Sequence, residues 1–277
     1  MLSYQHGYHA GNFADVVKHL VLVRILNYLC QKDKPVFYLE THAGRGLYDL
    51  KSAQAIKTAE AREGIEALWP HLTELPELFS PYINTIRAYN LDDTLRYYPG
   101  SPVIALHQLR IQDRLYCCEL HPAEFNELQN IKRQHRDLKF HVSHTDGLLQ
   151  LPALLPPPER RGLVFIDPSY EIKTDYQRLP HDVEKAYRRF KSGIYCIWYP
   201  ILNKQWHIDM LRQFAKIDAD SLRLEFHFTH SDNLGMTGCG LWIINPPYVL
   251  AAELDTALSV LVKLLNPGVS SFELSFS

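Results

Sequence analysis

What this sequence is short of narrows it quickly. No apolar run reaches the ~18 residues that a membrane span needs. The N-terminal stretch Met1-Leu-Ser-Tyr-Gln-His-Gly-Tyr-His9 has neither a basic n-region nor an apolar h-region, so no signal peptide is expected. The five cysteines (Cys30, Cys117, Cys118, Cys196, Cys239) are odd in number and include no C-x-x-C. They fall mostly in apolar runs, which reads as reduced core thiols of a cytoplasmic protein. Charge of one sign is also missing: 29 Lys and Arg against 31 Asp and Glu leave a net charge of −2. Nucleic acid, if bound, must therefore be held by a local patch. No internal repeat and no low-complexity tract is present. The remainder is ordinary globular composition, 46% hydrophobic and 22% charged, which excludes disordered, collagen-like and coiled-coil chains. At 277 residues the core needs no disulfide or metal staple, and one large domain with an insertion fits the length as well as two domains.

Seven short runs have strand character: Val36–Thr41, Arg114–Glu119, Lys139–Ser143, Leu163–Asp167, Ile194–Tyr199, Leu222–Thr229 and Gly240–Asn245. The first five are continuous apolar runs, as expected of parallel strands buried on both faces. Helix-type segments separate them, which predicts an α/β sheet wound by right-handed crossovers. More than 60 residues lie between the first and second runs, too many for one crossover helix. Ala53–Trp69 and Pro81–Arg96 both look helical, with Pro70, Pro76 and Pro81 as breaks. Residues 51–100 are therefore expected to be an inserted helical subdomain, with 1–50 and 101–277 forming the sheet domain. Leu151–Arg161 is a Pro-rich connection within that domain.

Four of the strand ends carry chemistry. After the first comes Leu39-Glu-Thr-His-Ala-Gly-Arg-Gly46, where Gly44 and Gly46 allow a ligand close to the backbone. The third glycine of the dinucleotide fingerprint is replaced by Asp49, so a ligand without phosphate, such as S-adenosylmethionine, fits better than a pyrophosphate; a plain tight turn reads equally well. Glu119 ends the second run, where a carboxylate can accept from both hydroxyls of a ribose or simply be solvated. Asp146-Gly147 follows the third run, either as an acceptor for an adenine amino group or as an Asp-Gly turn.

The most informative tetrapeptide is Asp167-Pro168-Ser169-Tyr170, after the fourth run. It resembles the D/N-P-P-Y/F motif of amino-group methyltransferases. An exocyclic adenine amine is a poor nucleophile because its lone pair is delocalised into the ring. The Asp167 carboxylate and the Pro168 carbonyl, both accepting from that amine, push it toward a tetrahedral shape. Proline fixes the turn, and the Tyr170 ring is placed to stack on an unpaired base. No metal is required, because a sulfonium is already a good leaving group. Asn245-Pro-Pro-Tyr248 fits the literal motif better. It follows the last run, after a hairpin-like turn at Asp232–Gly240, and an antiparallel last strand would deliver it to the wrong end of the sheet.

Tyr4, His6, Tyr8, His9, Asn12, Lys18 and His19 crowd the N-terminus, ahead of and within a segment, Phe13–Leu29, that reads as an amphipathic helix. Such a tail suits a substrate lid, or an ordinary exposed surface. His6, His9, His19 and His42 make no recognised metal-ligand spacing, so no metal is expected. Basic clusters occur at Lys132–Arg136, Arg160-Arg161 and Lys185–Lys191. Each reads by default as a solvated face; the last, about 15 residues beyond Asp167, is also a candidate for binding phosphate beside the active site.

Taken together, MLSYQHGYHAGNFADVVKH, YLETHAGRGLYDL, YPGSP (98–102), CELHP (118–122), GLVFIDPSYE (162–171) and GLWIINPPY (240–248) resemble the bacterial 23S ribosomal RNA adenine-N6 methyltransferases of the RlmJ type, in order and over nearly the whole chain. The resemblance implies a Rossmann-like methyltransferase sheet with an inserted helical subdomain, S-adenosylmethionine as donor and an adenine of 23S rRNA as acceptor. It implies Asp167, Pro168 and Tyr170 as catalytic residues. His19, His42, Gly44, Ser101, Glu119, Asp146, Gly147 and Asp167 are implied as cofactor contacts, and Tyr4, His6 and Lys18 as tail residues that meet substrate or close the site. A cytoplasmic monomer acting on naked rRNA or an early assembly intermediate is expected. One departure is Ser169, where the motif has a second proline; it restores an N–H and loosens φ, so a slower but active enzyme is expected. Two other functions compete: a DNA adenine methyltransferase, which presents the same amine, and a non-catalytic nucleic-acid-binding protein in the use of external DNA, which the resemblance also suggests. Retention of Asp167, Glu119 and Asp146 together argues against the second.

Overall fold

Strand β1 (Phe37–Glu40) is buried along its whole length, inside an eight-stranded sheet. The computed structural model describes residues 4–171, 173–202, 206–228, 236–266 and 270–277. Around β1 are β4 (Arg114–Cys118), β5 (Lys139–Ser143), β6 (Gly162–Ile166), β7 (Ile194–Leu202), β8 (Ser221–His227), β9 (Met236–Ile244) and β10 (Ser271–Phe276), in the order β10-β8-β9-β7-β6-β1-β4-β5. The five strands from β7 to β5 pair in parallel. Strand β9 runs antiparallel to both β7 and β8, and β10 antiparallel to β8. Each predicted run thus becomes a strand. Thr229 and residues 232–235 of the anticipated turn lie outside the described residues.

Two expectations about burial are corrected. Only Phe140 of β5 is buried, because β5 is an edge strand with one neighbour. Helix α1 (Phe13–Cys30) is not amphipathic. Fourteen of its 18 residues are buried, Asp15, Lys18 and His19 among them. It lies over the sheet, in contact with β6 and β9, and packs against α4 (Ser80–Arg87), α5 (Ser101–Gln108) and α10 (Leu250–Leu264), so it has no solvent face to make polar. Each fully buried Leu or Ile on it contributes about 1.5–3 kcal/mol. Asn12 caps the helix by accepting from Asp15 N–H at 2.9 Å. The opposite face of the sheet is covered by α7 (Gly147–Leu154), α8 (Lys173–Arg189) and α9 (Trp206–Phe214), which share a second core with it. Helix α6 (Pro122–Gln134) packs along β5.

Between β1 and β4 the chain first makes a two-stranded antiparallel ribbon of β2 (Leu47–Asp49) and β3 (Tyr97–Pro99), two short strands that the sequence pattern does not reveal. Between them lie α2 (Ala53–Thr58), α3 (Ile65–Leu68) and α4, with 3-10 turns. The expected helix over 53–69 is broken. Ala59 is left-handed (φ 54°), Glu60 turns back to His9 (2.8 Å) and Asn12 (3.0 Å), and Ile65 N–H donates to Gly11 O at 2.8 Å. The break docks this stretch onto the N-terminal segment. The second helix stops at Arg87, and the Asn90 side chain then bonds Ile86 O, Tyr97 O and the N–H groups of Arg96 and Tyr97. Among the described residues no helix is long and apolar enough to cross a membrane. All five cysteines are free thiols.

Candidate active site

The chain order reverses between β1 and β6: from β1 the sheet grows one way through β4 and β5, and the other way through β6 and β7. A ligand crevice belongs outside the carboxyl ends of the strands at such a switch point. A cavity of about 830 Å³ lies there. Tyr4, His6, Lys18, His19, His42, Gly44, Ser101, Glu119, Asp146, Gly147, Asp167, Pro168, Ser169 and Tyr170 all line it, so the residues that the family resemblance implies all reach one cavity.

The β1 turn carries Gly44 and Gly46 at φ +63° and +87°, a region costly for other residues. A side chain at Gly44 would meet Tyr48 Oη at 2.5 Å. The freed Gly44 N–H donates to Glu119 Oε2 at 2.7 Å, and His121 N–H donates to Glu119 Oε1 at 2.6 Å. Burial raises the Glu119 pKa, and these two donors partly offset it. The carboxylate is thus oriented by backbone and keeps lone pairs for a diol. Asp146 caps α7, accepting from Leu148 and Leu149 N–H (2.9 and 3.3 Å), while Arg178 approaches its other oxygen at 3.5 Å. Gly147 is there for closeness: a Cβ on it would lie 2.3 Å from Thr41 O. The two loops could not otherwise approach. Ser101 starts α5 and donates to the fully buried Glu40.

Both histidines assigned to the cofactor stay neutral. Burial lowers the His19 pKa to about 3, and its Nδ1 is 2.7 Å from Tyr98 Oη. Burial lowers the His42 pKa to about 4, and its Nδ1 is 2.8 Å from Thr41 Oγ1. His6 and His9 are engaged with Asp15 and Glu60 at 2.9 and 2.8 Å. The four histidines thus have four different partners.

Asp167, directly after β6, is held by an ion-pair chain. Lys18 Nζ donates to Asp167 Oδ2 at 2.6 Å and pairs with Asp15 Oδ1 at 2.9 Å. Asp15 Oδ2 accepts from Gly11 N–H (2.9 Å) and lies 2.9 Å from His6 Nε2, while His6 Nδ1 lies 2.8 Å from Tyr4 Oη. Burial opposes charge on Asp15 and Lys18, yet each holds the other charged. The Asp15 pKa falls well below its usual range, helped by His6 and Lys18, and that of Lys18 rises well above, helped by Asp15 and Asp167. Lys18 therefore sits in the body of α1, not in a tail. Asp167 Oδ1 has no partner among the described residues. Tyr170, in the left-handed region at φ 53°, is only 5% exposed. Its hydroxyl donates to Trp198 O at 2.6 Å, and its ring tilts against Tyr176 at 4.6 Å.

Two members of the site were missed from the sequence. Asp15 was signalled by its place in an otherwise apolar helix, one turn before Lys18. Trp198 was signalled only by its place in an apolar run and lies midway along β7; its ring lies 5.6 Å from Lys18 Nζ and lines the cavity. Two other features fall away from the cavity. Asn245 emerges at the far end, because β9 is antiparallel and Ile244 pairs with Tyr195 at the start of β7. Lys185–Lys191 also lies at that far end: α8 leaves the Asp167 turn and runs back to the start of β7, about 25 Å at 1.5 Å per residue. That cluster is not beside Asp167.

A Rossmann-like sheet with an antiparallel strand inserted beside β7, and a carboxylate-lined cavity at its switch point, is the architecture of an S-adenosylmethionine-dependent methyltransferase. The family described as ribosomal RNA large subunit methyltransferase D, RlmJ, matches residues 33–276. The ribosomal RNA large subunit methyltransferase J of Escherichia coli K12 is 43% identical over 273 residues, covering 97% of this chain and 95% of its own. The protein of the same name from Haemophilus influenzae Rd is 44% identical, covering 96% and 95%. A crystal structure of a Legionella pneumophila (strain Philadelphia 1) protein, 53% identical, has a TM-score of 0.91 over 96% of this chain and 98% of that one. The chain belongs to the RlmJ family of ribosomal RNA large subunit methyltransferases.

Proposed function

We propose that the protein transfers a methyl group from S-adenosylmethionine to N6 of an adenine in 23S rRNA. It acts in the cytoplasm, as a monomer, on naked rRNA or an early assembly intermediate. Residues 51–100 serve as an inserted helical subdomain on a methyltransferase domain of residues 1–50 and 101–277. The observation that carries this reading is Asp167: a carboxylate at the end of β6, pinned through one oxygen by Lys18, with the other unpartnered among the described residues, at the cavity of about 830 Å³.

The residues fit the donor. Glu119 suits a ribose diol and Asp146 an adenine amine, while the Gly44 turn, His42, Ser101 and Gly147 complete the cradle. When bound, the donor supplies an electrophilic methyl on a sulfonium. The chain's own residues then prepare the acceptor. Asp167 Oδ1 and the Pro168 carbonyl accept from the amino group and localise its lone pair. Lys18 keeps the carboxylate from rotating away. The target base must be unpaired, since pairing engages the same amine, and Tyr170 with Trp198 offers an aromatic wall. Tyr4 and His6, tied to the Lys18 chain, close the cavity over the substrate.

The test is methyl transfer from labelled S-adenosylmethionine to protein-free 23S rRNA lacking the modification, with nucleoside identification. N6-methyladenosine at one position is expected, and its loss in Asp167→Ala, with the fold and donor binding retained. Full activity in that variant, or equal methylation of DNA, would overturn the reading.

A further inference from the structure

The Asn245-Pro-Pro-Tyr248 segment has no part in the active site, and its place in the fold is distinctive. Asn245, Pro246 and Pro247 line a second groove, about 460 Å³, at the amino ends of β1, β6 and β7, and Tyr248 follows directly at its edge, against the lining residue Tyr28. Lys34, Arg160 and Arg161 line the same groove. Asn245, left-handed at φ 53°, clamps the segment to the start of β7 by donating to Lys191 O and Gly193 O, both at 2.7 Å. Pro246 and Pro247 stiffen the backbone beyond Asn245. They present Tyr248, which is 86% exposed, with its ring edge-on to Tyr28 at 6.0 Å.

The charges of the groove are unevenly used. Its acidic residue, Glu159, is neutralised by Arg114 through two contacts of 2.9 Å. Arg161 is spent on the carbonyls of Leu29 and Lys34. Lys34 and Arg160 are both exposed, and neither side chain has a hydrogen bond or ion pair among the described residues. Arg160 holds a left-handed backbone (φ 49°) that is rare for a long side chain. Lys191, from the basic run displaced from the active site, flanks the same groove through its contact with Asn245.

Two unpaired cations beside a flat, exposed, rigidly mounted ring are what a single nucleic-acid strand uses: phosphates on the cations and a base on the ring. An acidic protein segment would use the cations and leave the ring idle. We propose that this groove is a second RNA-binding surface, taking a single-stranded segment of the substrate on Lys34, Arg160 and Tyr248. It rests on the reading of RNA as substrate. Along β6 the groove and Asp167 are six residues apart, ~20 Å at 3.3 Å per residue. Only an RNA that extends well beyond its target adenine reaches both.

The test compares unmodified full-length 23S rRNA with the shortest fragment that the wild-type protein methylates. With full-length RNA, Lys34→Gln combined with Arg160→Gln should reduce the slope of log KM against log salt by about 1.4, at ~0.7 per cation on a single strand. Tyr248→Ala should raise KM about tenfold. Neither should change kcat, or any constant on the short fragment. Filter binding of the same RNAs supplies a readout independent of methyl transfer. Wild-type protein that binds but does not methylate overturns the catalytic reading alone. Variants that bind full-length RNA like wild type, or that lose the short fragment equally, overturn the groove.

Discussion

Glu40 is a buried acid with no cation of its own, and its replacement by glutamine gives a quantitative test of the site's electrostatics. Its relative exposure is 0%, and its neighbours are hydrogen-bond donors: Ser101 Oγ on one oxygen, and on the other Tyr38 Oη at 3.0 Å, with Cys117 Sγ at 3.9 Å. Burial raises its pKa from 4.5 to about 8, although the Ser101 and Tyr38 bonds pull the other way. A folded pKa above the unfolded one means that the folded state holds the extra proton. That stability is fully present below pH 4.5 and is lost as the pH rises toward 8. Integrating the linkage between pH 5 and pH 8 gives a loss of a few kcal/mol, roughly 3–4, from this one group. Glutamine has nearly the shape of the protonated acid, and the Ser101 or Tyr38 hydroxyl can turn to accept from its NH2. The variant should therefore be flat where the wild type falls. Urea unfolding at pH 5, 6, 7 and 8 measures it: the stability of Glu40→Gln relative to wild type should climb across the series by roughly that amount. Parallel stability curves would falsify the claim that Glu40 is neutral in the folded protein at neutral pH.

Two further outcomes are expected at the Asp167 turn. Lys18→Met leaves Asp15 and Asp167 facing each other without their cation; a loss of about 3–5 kcal/mol in urea unfolding is expected, together with loss of methyl transfer. In an Asp15→Asn background the same change should cost distinctly less, and equal costs would show that the pair is not coupled. Ser169→Pro restores the second proline of the motif and should preserve or raise turnover in the rRNA assay; a large loss would contradict the view that the turn is under-organised.

The strands were legible because burial on both faces leaves a local mark: continuous apolar runs at 36–41 and 163–167 become β1 and β6 to within a residue at each end, and the run at 194–199 becomes β7, which continues to Leu202. The Asp167 turn was legible because its chemistry is written in four consecutive residues. So was the rejection of Asn245-Pro-Pro-Tyr248, since a hairpin reverses a strand. Strand β10 carries its own local mark, the alternation of Phe272, Leu274 and Phe276, and is not among the seven runs read from the sequence. Helix α1 shows where sequence pattern stops. Its Asp15, Lys18 and His19 suggest a wet face, yet all three are buried, because they meet partners that the sequence places elsewhere. Lys18 and Asp167 are 149 positions apart, and nothing in either neighbourhood marks them as a pair. Likewise the basic run at 185–191 is near Asp167 in sequence and far from it in space, since α8 reverses the chain. Periodicity and turn chemistry are properties of neighbours along the chain and can be read there. Ion pairing, burial of charge and the raised pKa of Glu40 depend on which distant groups the topology brings within a few ångströms, and only the folded structure decides that.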